Sequence, residues 1–107
     1  MNKVFSKLNS NEFFGTSFHF GYVKGTAEEI SKVLGPCEDS YDDKTCREWD
    51  RKVNGIVFTI YDYKEYKDIS DSDVIEYHIG TKTDKETERV VNILKDCGLN
   101  AYIMKFF

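Results

Sequence analysis

The sequence lacks most of the local signatures by which enzymes and nucleic-acid-binding domains are recognised. No glycine-rich segment ends in the Lys-Ser/Thr pair of a P-loop, and neither G-x-S-x-G nor H-E-x-x-H occurs, so hydrolase templates find no support in local motifs. The three cysteines (Cys37, Cys46 and Cys97) are odd in number and without C-x-x-C spacing, which suits reduced thiols better than a disulfide framework. No stretch approaches the roughly 20 apolar residues of a membrane span. Polar residues interrupt Met1 to Phe20 too often for the apolar stretch of a secretory leader. A cytoplasmic protein with no membrane association is therefore expected. The basic residues Lys3, Lys7, Lys24, Lys32, Arg47, Arg51 and Lys52 form no continuous stripe, and the formal net charge is −4, which argues against duplex DNA as a partner. That acidity is also too mild, and too mixed with lysine and arginine, for a mimic of DNA.

What is present points to one small folded domain. Leu, Ile, Val and Phe supply about a quarter of the 107 residues, more than a disordered chain carries. A chain this short buries only about 60–65% of its unfolded surface, so ligand sites are expected in surface clefts or between subunits. Residues 1–12 read as a polar arm and 13–107 as a single α+β domain. Thr26-Ala27-Glu28-Glu29 and Thr83-Asp84-Lys85-Glu86 both have the T-x-x-E form of a capping box, which predicts a helix after each threonine. The first helix carries Ile30, Val33 and Leu34 and ends at Gly35-Pro36; the second carries Val90, Val91, Ile93, Leu94 and Cys97 and ends at Gly98. Asn54-Gly55 predicts a two-residue hairpin turn pairing Val53 with Ile56, Arg51 with Phe58 and Trp49 with Ile60. Strands are also predicted over 15–23, 73–80 and 100–106. The resulting order β-α-β-β-β-α-β gives a single antiparallel sheet with two helices.

The hairpin register places Trp49, Arg51, Val53, Ile56, Phe58 and Ile60 toward the core. On the first strand, Thr16, Phe18, Phe20 and Tyr22 oppose Ser17, His19 and Gly21. The face away from the core is expected to gather Ser17, His19, Thr59, Tyr61, Glu76 and His78. This set could form a ligand platform or an ordinary solvated sheet face. Two histidines and Glu76 are too few for a tetrahedral zinc site, and no cofactor is implied. The acidic segments 36–44 and 64–72 read as solvated loops. Tyr61, Tyr63 and Tyr66 cluster beside Lys64 and Lys67, offering rings that stack on nucleobases and cations that meet phosphates. Arg51 has a second reading, in which its stem snorkels past Phe58 to the sheet edge.

Gly15-Thr16-Ser17, Gly21-Tyr22, Gly35-Pro36, Trp49, Gly55, Tyr61-Asp62-Tyr63-Lys64 and His78-Ile79-Gly80 resemble a family of small phage immune-evasion proteins, over roughly residues 13 to 97. These are similar to the anti-CBASS sponges and, in function, to the anti-Thoeris sponges, which sequester nucleotide signals of bacterial defence. The resemblance implies a non-enzymatic homo-oligomer in the host bacterial cytoplasm, binding a cyclic nucleotide at subunit interfaces without cleaving it. Thr16, Ser17 and His78 are the expected hydrogen-bonding groups, Tyr61 the stacking ring, and Arg51 or Lys64 the phosphate partner. A rival reading is a protein-binding inhibitor of a host defence nuclease, of the anti-CRISPR or anti-restriction type, acting through the acidic loops. A third is a metal-independent phosphodiesterase with His19 and His78 as acid and base.

Overall fold

The computed structural model describes residues 5–7, 15–39, 47–62 and 72–104. Five main strands and two helices follow the predicted order: β2 (Ser17–Gly25), α1 (Ala27–Leu34), β4 (Arg47–Val53), β5 (Ile56–Tyr61), β6 (Ile75–Thr81), α2 (Asp84–Asp96) and β7 (Asn100–Ile103). Two-residue strands β1 (Ser6–Lys7) and β3 (Glu38–Asp39) complete one sheet, ordered β1-β4-β5-β6-β2-β7 with β3 also on β4. All pairings are antiparallel. Within the stretch expected as a polar arm, Ser6 and Lys7 therefore pair with Lys52 and Arg51, and Phe5 meets Phe58 edge-on at 6.1 Å.

Local chemistry explains where the elements begin. Thr26 forms the full capping box with Glu29, its hydroxyl accepting from the Glu29 N–H while the Glu29 carboxylate accepts from the Thr26 N–H. Thr83 caps α2 by accepting from the Glu86 N–H. Asn54 and Gly55 both have positive φ, as the tight turn requires, and the predicted register is observed: Trp49 faces Ile60, Arg51 faces Phe58 and Val53 faces Ile56.

Both helices cover one face of the sheet. Ala27, Ile30 and Leu34 of α1 and Val90, Val91 and Leu94 of α2 join Val23, Trp49, Phe58, Ile60, Tyr77 and Ile79 in a single buried cluster. Arg51 lies within this layer and is 0% exposed. Its Nε donates to the Leu34 carbonyl at 2.8 Å and its two terminal nitrogens to Pro36 O (2.7 Å) and Asp50 O (2.9 Å). Trp49 Nε1 donates to Gly35 O at 2.9 Å. Two side chains of β4 thus satisfy the carbonyls at the C-terminal end of α1, where the helix macrodipole also favours a cation.

β2 departs from the predicted alternation. Its pairing with β6 shifts register between Phe18 and Gly21, and Phe20 sits at φ 63. Val23 is in the core and Gly21 backs onto α2, where a Cβ would lie 2.6 Å from Thr87 Cγ2. Phe18 and Tyr22 consequently lie on the face opposite the helices. The expectation that Ser17 and His19 share the outer face with His78 is corrected: the His19 side chain instead reaches Asp84 at the start of α2. Close packing of strand to helix fixes glycine as the inward residue, so the aromatic residues beside it turn outward.

Candidate aromatic site on the open face

Cross-strand pairing aligns one aromatic row over four adjacent strands. Tyr61 on β5 pairs with His78 on β6, His78 with Tyr22 on β2, and Tyr22 with Tyr102 on β7. The rings follow the backbone. Tyr61 and His78 centroids are 5.5 Å apart and edge-on, Tyr22 meets His78 edge-on at 5.5 Å, and Tyr22 stacks on Tyr102 at 5.4 Å. Phe18, brought in by the bulge, stacks on His78 at 4.5 Å with 20° between planes. Phe20 follows at 5.3 Å from Phe18 and is 44% exposed. The other rings of the row are each half-buried, with one side turned outward. Gly80 makes room for this row: a Cβ there would lie 2.5 Å from Thr59 Oγ1 and 3.7 Å from Tyr61 Cε1.

The electrostatics of the row follow from its packing. Partial burial lowers the pKa of His78 below its ordinary 6.5, with the Glu76 carboxylate opposing the shift, so the imidazole is neutral at pH 7. Tyr102 donates its hydroxyl to Glu76 Oε2. Burial first, then that carboxylate, push Tyr102 up to about 12. Tyrosine hydroxyls and a neutral imidazole give the face donors and acceptors beside the Glu76 carboxylate. Lys24, exposed on β2 two residues beyond Tyr22, brings a cation beside the row, across from Glu76 on β6 and Asn100 on β7.

The predicted site residues separate. His78 and Tyr61 come together on the row. Thr16 lies just before β2, and Ser17 opens that strand with its hydroxyl 3.1 Å from His19 Nε2. Arg51 is buried on the helix side, held by carbonyls, and is not a surface cation; neither of its predicted roles, phosphate partner or snorkelling stem, matches this position. Lys64 lies outside the described residues, as do Tyr63, Tyr66 and most of the acidic segments 36–44 and 64–72. His19 and His78 face opposite sides of the sheet, so they do not form an acid–base pair. Sequence reasoning missed Phe18, Tyr22, Lys24 and Tyr102. Fixing Val23 as a core residue would have turned Tyr22 and Lys24 outward by alternation alone. No helix among the described residues is long and apolar enough to cross a membrane. No protein-family model, curated protein or solved structure matches the chain.

Proposed function

We propose that this protein binds a cyclic nucleotide signal on the open face of its sheet and sequesters it without breaking its bonds, as a phage sponge against bacterial defence. The observation that carries this reading is the unbroken row Tyr61, His78, Tyr22 and Tyr102, with Phe18 stacked on its centre. Nucleobase stacking on aromatic side chains contributes about 1–3 kcal/mol per base, and the ring row offers more than one such place. Tyr61 and His78 keep their expected roles as stacking ring and hydrogen-bonding group. Lys24 takes the phosphate-binding role, because Arg51 is committed to the end of α1. An exposed sheet face covers one side of a ligand, so a second copy of the chain supplies the opposite wall and the binding form is a homo-oligomer.

Equilibrium dialysis of the full chain against cyclic dinucleotides, followed by heating and mass analysis of the released ligand, tests the reading. Retention and recovery of the intact cyclic compound are expected. A linear product, or no retention of any cyclic nucleotide at millimolar concentration, would overturn it. Native mass spectrometry of the same sample reports the oligomer and its ligand stoichiometry together.

A further inference from the structure

The helix side of β2 carries a second constellation that ligand binding on the open face does not use. Ser17 pairs with Thr81, and the His19 ring, within the register shift, turns to the same side. Ser17 Oγ lies 3.1 Å from His19 Nε2, and His19 Nδ1 lies 2.7 Å from Asp84 Oδ1. Asp84 sits in the first turn of α2, where the positive end of the helix favours a carboxylate. In the neutral imidazole, Asp84 accepts the Nδ1–H, which leaves Nε2 unprotonated to accept the serine proton. Ser17 is exposed and His19 and Asp84 remain accessible at 24% and 62% of their side-chain surface, so a reagent can approach the hydroxyl. The register shift that begins at Phe18, together with the left-handed φ of 63 at Phe20, sets the strand geometry at His19. A bulky residue in that region is uncommon, and such bulges recur where a side chain is re-aimed beside an active site.

From this geometry we infer that Ser17, His19 and Asp84 form a nucleophilic serine triad that hydrolyses carboxylic esters. Nucleophile hydrogen-bonded to base, and base oriented by a carboxylate, is the arrangement by which such triads are recognised irrespective of fold or chain order. Ser17 Oγ attacks the ester carbonyl carbon and a new C–O bond forms, while the hydroxyl proton passes to His19 Nε2. The bond to the leaving alkoxide then breaks and His19 returns the proton to it. Water, losing a proton to His19, adds to the acyl carbon; the Ser17–acyl bond breaks, the acid is released and the proton restores the serine hydroxyl. Asp84 holds the ring tautomer and takes no part in the proton transfers.

Incubation of the full chain with a fluorophosphonate, which a triad serine attacks at phosphorus with loss of fluoride, tests the assignment by intact-mass and peptide mapping. One adduct on Ser17 is expected, absent in Ser17→Ala. Its rate of formation should fall roughly 100-fold or more in His19→Ala, and at least about tenfold in the near-isosteric Asp84→Asn, with hydrolysis of p-nitrophenyl acetate falling in parallel. Near-ultraviolet circular dichroism checks that each variant is folded, and the near-isosteric Asp84→Asn carries the test if His19→Ala does not fold. No adduct on the unaltered protein, an adduct on another residue, or labelling that proceeds at full rate in folded Asp84→Asn would overturn the triad.

Discussion

Arg51 carries a full positive charge into the helix-facing layer and directs it at the carbonyls of Leu34, Asp50 and Pro36. Replacing it by Met keeps much of the apolar stem but strands buried acceptors, which costs about 1–3 kcal/mol for each group left unsatisfied. Arg51→Met is therefore expected to lower stability by about 3 kcal/mol or more, read as a reduced urea midpoint with an unchanged slope. His78 gives a pH-dependent expectation. Its folded pKa lies below the ordinary 6.5, so between those values the unfolded chain binds more protons than the folded one. The stability it contributes is present above pH 6.5 and is lost as pH falls through the folded value. His78→Phe, which keeps a ring in the row, should flatten that acid limb in denaturant titrations at several pH values. Tyr102 has the opposite sign: its contribution is present below pH 10 and is lost as pH rises toward about 12, so Tyr102→Phe should extend stability into alkali.

At the scale of elements, β2 and α2 meet by close approach at Gly21. An alanine there would bring its Cβ within 2.6 Å of Thr87 Cγ2, and overpacking of this kind costs about 1–3 kcal/mol. Thr87→Ser removes that methyl while keeping the hydroxyl that pairs with Thr81 Oγ1 at 2.6 Å. A thermal-denaturation cycle should therefore show Gly21→Ala destabilising alone and substantially rescued in the Thr87→Ser background. The same contact explains what sequence patterning could reach. Thr26, Thr83 and Asn54-Gly55 act within a few residues of themselves, so both helix starts and the hairpin register were legible. The inward turn of Gly21 depends on Thr87, far along the chain, and no local period reports it. With glycine inward, Phe18 and Tyr22 face out, against the habit of reading aromatic residues as core. His78 and Tyr61 were legible as residues of the face away from the helices because the hairpin and β6 alternate cleanly. Arg51 was correctly placed on the core side, but its partners at the end of α1 were not foreseeable from β4 alone.

At the scale of the whole molecule, among the described residues, two helices close one face of the sheet and the other carries a row of rings spanning β5, β6, β2 and β7. The small size of the chain favours a surface site, and the proposed ligand would lie across strands. A net charge of −4 opposes a phosphate, so under the proposed function stacking and a local cation such as Lys24 would supply the attraction. The most direct measurement is a nuclear magnetic resonance titration of isotope-labelled protein with a cyclic dinucleotide, comparing the unaltered chain with Tyr61→Ala. The account predicts saturable shifts centred on Tyr61, His78, Phe18, Tyr22 and Tyr102, and a dissociation constant raised at least about fivefold by Tyr61→Ala, the loss of one stacking contact. Shifts confined to the helix side, or an affinity indifferent to Tyr61→Ala, would contradict it.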